Sequence, residues 1–368
     1  MDNDRPKILF IAPLPPPIHG SAVVSQQIRE SKKINESFCC NWVNLSTSRK
    51  MDEIGKTTFE KPFRFLGALF RTLWLLMTRR YDLCYLAITC HGSGFLKDAP
   101  FVLLCKLFGN KIVIHQHNKG MSKDVNRWPY RWLLPMVYKK TKVVLLSWHL
   151  YSDIEKVVPK DNVLICPNGI SVQKNEVLNV KRDNKVSRLL FLSNLMESKG
   201  VLVLLDALEI IRMKGYTFIC NFVGGETKEI DAKCFAEAVG KRELNQNVFY
   251  LGRKYGDEKK EIYCSSDVFV FPTNEDCFPL VILEAMSYHL PIVTTSEGAI
   301  PDEVTDGVNG FICEKKNPDN LADCIIRLLD DEDLRHRMGE QGLKQLNNYF
   351  TLEKFEKKIV ECLGKALN

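Results

Sequence analysis

A carboxylate set in an otherwise apolar helix carries the sharpest chemical signal in this chain. Residues 271–286 read Phe-Pro-Thr-Asn-Glu-Asp-Cys-Phe-Pro-Leu-Val-Ile-Leu-Glu-Ala-Met, an apolar strand that turns through a loop into a helix. Such a junction presents backbone N–H groups that lack an intrahelical partner, which makes it a natural seat for a phosphate. Pro279 has no N–H, so the donors are expected from Leu280 and Val281. One turn further in, Glu284 stands among Val281, Ile282, Leu283, Ala285 and Met286. A carboxylate there needs hydrogen-bond partners, and vicinal sugar hydroxyls would provide them. The alternative is a solvated helix residue or one paired with a basic neighbour.

Other candidates have the same two-sided character. Lys199, followed by Gly200, is either a cation facing an anionic ligand or part of an ordinary solvated turn. Arg253, after Gly252 at a strand end, is a second such cation or an exposed surface residue. His115 and His117 end an apolar run on one pleat face, because residues two apart in a strand point the same way. Two imidazoles can begin a metal site, but no third ligand is suggested. Gly20 closes a proline-rich loop, residues 13–21, where a glycine allows a backbone approach that a side chain would block; a rigid loop before a helix needs no ligand at all. His91 and Gly92 open another glycine-bearing loop after a strand.

All of these residues fall at the ends of short apolar runs. In the first half the runs are 7–12, 38–45, 82–87, 111–116, 142–147 and 162–166, alternating with helical patterns. After a polar stretch from Ser171 to Ser187, read as a linker, the rhythm restarts at 188–193, 217–223, 248–251, 268–271, 291–294 and 310–313. Alternation of this kind predicts α/β architecture with doubly wound parallel sheets, whose ligands bind at the carboxyl ends of the strands. The 368 residues suffice for two to three domains at ~150 residues each. With 45% hydrophobic and 26% charged residues, disordered, collagenous and coiled-coil classes are excluded. The 13 cysteines are odd in number and lack a CxxC pair, so they read as reduced, mostly buried thiols, and the histidines are not grouped with them as zinc would require. The polar start 1–7 does not read as a signal peptide, and the apolar stretch 65–78 is shorter than the ~20 residues that span a bilayer.

Charge is divided unevenly along the chain. Residues 1–180 hold 26 Lys and Arg against 14 Asp and Glu, a balance of +12, whereas residues 181–368 hold 25 against 31, a balance of −6. The basic half contains a predicted helix, 61–80, with Phe63, Leu66, Phe70, Leu73, Trp74 and Met77 on one face, bordered by Arg64, Arg71, Arg79 and Arg80. Residues 128–140 add further tryptophans and cations. Such a face either packs on the sheet or lies in an anionic membrane interface. No nucleic-acid motif or aromatic platform accompanies the positive charge, so nucleic acid is not expected as a partner.

Residues 271–312 together resemble the signature of the family 4 retaining glycosyltransferases, which have the GT-B fold of two Rossmann-like domains facing a central cleft. The resemblance implies an N-terminal acceptor domain at 1–175, a C-terminal nucleotide-sugar domain at 176–350 and a helix at 351–368 crossing back to the first. In that family a glutamate facing sugar hydroxyls and a second facing ribose are separated by seven residues. Glu284 matches the second, and Asp276 the first, with Glu275 as the other candidate. The loop residues Cys277, Phe278 and Pro279 join Leu280 and Val281 in the implied donor site. Residues 191–200 resemble the family's phosphate loop, in which Lys199 would contact the diphosphate; Asn194 replaces an arginine common there, and Arg253 is placed to compensate. Gly20 corresponds to a glycine near the donor phosphates, His117 to the histidine contacting the transferred sugar with His115 as second choice, and His91 and Gly92 to an acceptor-side loop. The implied activity is retaining transfer of a hexose-type sugar from a nucleotide diphosphate to a hydroxyl, with no cofactor or metal beyond that co-substrate. The expected acceptor is a lipid-linked glycan of cell-surface polysaccharide synthesis, reached by a cytoplasmic enzyme peripheral to the anionic inner membrane face. The alternatives are a nucleotide-sugar epimerase or phosphorylase of the same fold, or a non-catalytic sugar-nucleotide-binding scaffold.

Overall fold

A computed structural model of the chain describes residues 5–48, 59–172 and 186–368. Residues 1–4 and most of the expected linker, 173–185, lie outside the described residues. The chain forms two compact units, Met1–Asn168 with Leu352–Asn368, and Gly169–Thr351. The terminal helix Leu352–Leu367 belongs to the first unit, burying Phe355, Ile359, Cys362 and Leu363.

The first unit is a parallel sheet of β1 (Lys7–Ala12), β2 (Cys39–Asn44), β3 (Leu83–Leu86), β4 (Lys111–Gln116), β5 (Lys142–Leu145) and β6 (Val163–Ile165), ordered 2-1-3-4-5-6. The second contains β7 (Ser187–Leu192), β8 (Phe218–Val223), β9 (Val248–Gly252), β10 (Val268–Phe271), β11 (Ile292–Thr295) and β12 (Gly310–Cys313), ordered 12-11-10-7-8-9 and again parallel. Central strands such as β1, β3 and β10 are continuous apolar runs because helices cover both faces of a parallel sheet. Aromatic pairs join neighbouring strands within each sheet: Phe10 on β1 lies 5.0 Å from Tyr85 on β3, and Phe191 on β7 lies 5.0 Å from Phe222 on β8.

Each strand order reverses once. In the first unit the chain moves from β1 to β2 on one side and then to β3 on the other; in the second the same break falls between β7 and β10. Loops leaving the carboxyl ends at such a reversal diverge and open a crevice, so each sheet has one favoured ligand position.

The helix Glu60–Thr78 buries Thr72, Leu75 and Leu76 but leaves Phe63 (63% exposed), Phe70 (72%) and Trp74 (53%) in solvent. The reading in which those aromatics pack on the sheet is therefore corrected: the sheet takes the opposite face of the helix. Trp128, Trp132 and Met136 are exposed as well, on and beside the helix Tyr130–Tyr138. Among the described residues no helix is long and apolar enough to cross a membrane. All 13 cysteines are free thiols.

Candidate active site

In the second unit the loops after β7 and β10 meet at the strand-order reversal. Gly200 adopts a left-handed conformation (φ 81°), and a Cβ there would run into the backbone carbonyl of Pro272, so only glycine lets the two loops approach. This places the Lys199 ammonium on the second loop, where it donates to the Glu275 carbonyl (2.7 Å) and to Asp276 Oδ2 (2.6 Å). Asp276 Oδ1 accepts the Cys277 N–H at 2.8 Å, so both carboxylate oxygens are engaged. A second clamp comes from residues 297–299. Ala299 N–H donates to the Cys277 carbonyl (2.7 Å), and buried Glu297 accepts from the Asp276 N–H (3.4 Å) while pairing with Lys315.

The loop leads into the helix Leu280–Ser287, whose first internal bond runs from the Ile282 N–H to the Pro279 carbonyl at 3.0 Å. The N–H groups of Leu280 and Val281 find no acceptor among the described residues. Cys277, Phe278 and Pro279 require a correction as donor-binding side chains: all three are buried, Phe278 edge-on to Phe350, so they shape the loop from beneath. The Glu275 side chain is exposed.

Glu284 is half-buried and does pair with a basic neighbour. Its Oε2 accepts from Lys259 Nζ at 2.6 Å and from the Tyr263 hydroxyl at 2.9 Å, while Oε1 has no partner among the described residues. Lys259 and Tyr263 share one face of the helix Gly256–Cys264, four residues apart. Sequence reasoning missed both; the legible signal was that spacing after β9. Burial, then the charge of Glu284, pushes the Tyr263 phenol well up, and burial pushes Tyr288, stacked on it at 5.0 Å, up to about 12.

Asn194 braces this region, its Oδ1 accepting the Gly225 N–H at 3.0 Å. The Arg253 guanidinium lies against Gly225, in space that a Cβ would occupy, which brings it beside the loop that Asn194 holds. Glu303 was also missed. It is fully buried, neither carboxylate oxygen has a hydrogen-bond partner among the described residues, and burial followed by the charges of Asp276 and Asp302 pushes its carboxyl well above the usual range.

In the first unit a cavity of about 230 Å³ opens at the carboxyl ends of β1 to β4, with Pro13, His19, Ser46, Thr89, Lys97 and His117 in its wall. His117 Nε2 is screened from solvent without a hydrogen-bond partner among the described residues, and burial followed by the proximity of His19 lowers its pKa to about 4. At neutral pH it is an uncharged imidazole. His115 sits deeper, 4.0 Å from the His117 ring and bonded through Nδ1 to the Tyr85 hydroxyl at 2.6 Å, so it supports His117 from behind instead of lining the cavity. Lys97 pairs with buried Asp98 at 3.2 Å, and Asp98 accepts the Thr89 N–H at 2.9 Å.

His91 and Gly92 lie outside the cavity wall. The Gly92 N–H is spent on Asp124 (2.7 Å), and the His91 ring occupies the space beside Gly120. Gly20 begins the helix Gly20–Glu30, and a Cβ there would meet nothing in the chain. Among the described residues no group of three or more His, Cys, Asp or Glu is arranged to hold a metal ion.

Two parallel six-stranded sheets, each with a polar crevice at its order reversal, define the GT-B architecture, and solved structures agree. Anabaena Alr3699/HepE, crystallised in complex with UDP, superposes with a TM-score of 0.77 over 98% of this chain and 100% of that one, at 14% identity. Residues 173–345, just under half of the chain, match the family of glycosyl transferases group 1. The capsular polysaccharide biosynthesis glycosyltransferase CapM of Staphylococcus aureus is 31% identical over 193 residues, which are 50% of this chain and 49% of CapM, so the match spans about half of that relative. An uncharacterized 41.2 kDa protein in the cps region of Klebsiella pneumoniae is 24% identical over 92% of this chain and 93% of its own.

Proposed function

We propose that this chain is a retaining glycosyltransferase that moves a sugar from a nucleotide diphosphate to a hydroxyl of a lipid-linked glycan in cell-surface polysaccharide synthesis. The observation that carries this reading is the set of five groups on the loops and helix at the β7/β10 reversal: the Lys199 ammonium, the open N–H groups of Leu280 and Val281, and the carboxylates of Asp276 and Glu284. As the bond between sugar and phosphate breaks, negative charge collects on the leaving diphosphate. Lys199 and the helix amides lie preorganised to stabilise it, and Arg253 adds a third source of positive charge. Asp276 takes the transferred sugar's hydroxyls and Glu284 the ribose. No cofactor is needed for this charge stabilisation. Neutral His117 presents an imidazole to hydroxyl-bearing substrate in the first-unit cavity without adding a charge.

The capsular name of CapM and the cps location of the Klebsiella relative support the polysaccharide role, and the UDP bound by HepE makes uridine nucleotides the first donors to test. The exposed Phe63, Phe70 and Trp74, bordered by arginines, support peripheral attachment to an anionic membrane on its cytoplasmic face. Thermal unfolding in UDP, GDP, ADP and the corresponding sugars tests the donor assignment. Selective binding stabilises the fold by about 2.7 kcal/mol at a hundredfold excess over Kd. A chain that none of these nucleotides stabilises would overturn it.

A further inference from the structure

We infer that Lys259 and Tyr263 are positioning residues that hold Glu284 as a one-oxygen acceptor for a ribose hydroxyl, and so set the preference of the donor site for ribonucleotides. The inference rests on the donor reading above and extends it to two residues that no motif marks.

Three observations carry it. Both donors converge on the same oxygen, Oε2, at 2.6 and 2.9 Å, which fixes the carboxylate plane and leaves Oε1 alone without a partner among the described residues. Tyr263 cannot swing away: its ring is buried, stacked on Tyr288 at an interplanar angle of 4°, and 6.2 Å from the Phe269 ring in the sheet core. The Lys259 ammonium lies 5.8 Å from the Tyr263 ring centre, against the rigid ring that shares its carboxylate. A carboxylate doubly bonded through one oxygen keeps its charge and its direction, so the other oxygen accepts one hydroxyl in one place. A nucleotide lacking that hydroxyl leaves Oε1 without its ligand partner, so the site binds it less well.

The test measures calorimetric binding of UDP, GDP and ADP, and of the 2′-deoxy and 3′-deoxy forms of whichever binds. It compares the wild type with Lys259→Met, Lys259→Arg, Tyr263→Phe, Glu284→Gln, and the combinations of Glu284→Gln with Lys259→Met and Tyr263→Phe. Lys259→Met and Tyr263→Phe are each expected to weaken the ribonucleotide by about 5- to 10-fold, to shrink its advantage over one deoxy form by a similar factor, and to leave kcat at saturating donor unchanged. Lys259→Arg should restore most of the loss. In the Glu284→Gln background neither change should cost anything further, because the acceptor they position is already gone. Fold-changes that multiply in the double variants, or single variants that bind and discriminate like the wild type, would overturn the inference while leaving the donor site standing. A wild type that binds none of the three diphosphates would overturn the functional reading as well. Lys259 is partly exposed, so Lys259→Met decides the matter should Tyr263→Phe fail to fold.

Discussion

The two sheets hold their polar groups in opposite states. In the Gly169–Thr351 unit each site carboxylate already has a cation: Asp276 has Lys199, Glu284 has Lys259, and buried Glu297 has Lys315. In the first unit the cavity wall holds one such pair, Lys97 with Asp98, beside a neutral imidazole, His117, whose Nε2 has no partner among the described residues. A crevice of paired charges suits a ligand that is itself charged, because a diphosphate can share the lysine while a hydroxyl replaces it on the carboxylate. A neutral imidazole with an open nitrogen suits a ligand that brings hydroxyls. Their surfaces differ in the same sense, since the first unit exposes the aromatic face of the helix Glu60–Thr78 and the tryptophans at 128 and 132, and it carries the chain's net positive charge.

The largest expected effect is on the charged side. Lys199→Ala should lower turnover by about 10²- to 10³-fold, the scale seen when a preorganised transition-state donor is removed. Wild-type kinetics in a folded variant would dissolve the contrast between the units, because Lys199 is the cation on which it rests. Changing Arg64, Arg71, Arg79 and Arg80 together to glutamine should reduce binding to anionic vesicles by roughly tenfold or more at low salt and leave nucleotide affinity unchanged. Binding by the wild type should itself fall with salt, since exposed charges are screened over ~10 Å at 0.1 M. A wild type that ignores such vesicles at low salt would remove the membrane from the first unit while sparing the donor site.

A smaller effect sharpens the comparison within the second unit, where the fully buried Glu303 carboxyl has no hydrogen-bond partner among the described residues. Its raised pKa means that the folded chain keeps a proton that the unfolded chain releases above the ordinary carboxylate range of about 4.5. Its contribution to stability is therefore greatest in acid and declines as pH rises from there toward the raised value. Glu303→Gln, neutral at every pH, should remove that decline and raise Tm at pH 7 to 8 by a few degrees with little change at pH 4. Equal pH dependence in the two proteins would show that Glu303 has a compensating partner.

Strand positions were legible because doubly covered parallel strands are unbroken apolar runs: 111–116, 268–271 and 310–313 coincide with β4, β10 and β12. Lys199 and Glu284 were singled out by the resemblance of residues 191–200 and 271–312 to the family's motifs, since each charge by itself also fitted a solvated turn or a paired helix residue. Burial was not. Cys277, Phe278 and Pro279 share a loop with Asp276, yet they face inward, because the 297–299 turn docks on that loop from 20 residues away in sequence. Lys259 and Tyr263 escaped notice for the same reason, since nothing local to 256–264 announces that Glu284 lies opposite. Glu303 stands near two other acids, Asp302 and Asp306, with nothing local to set it apart, and only the packed fold reveals that it is fully buried. The helix Glu60–Thr78 shows the limit of periodicity, which located an apolar face correctly but could not say that the sheet would take the other one.

The most direct measurement is sugar transfer itself. The nucleotide sugar that stabilises the chain is mixed, in the presence of a chelator, with a lipid-linked saccharide in anionic vesicles, and the product's anomeric configuration is read by NMR. A glycosidic bond of the donor's own configuration, formed at an undiminished rate in chelator, is the predicted result. Donor binding without any transfer, an inverted linkage, or reversible loss of activity on chelation would contradict it.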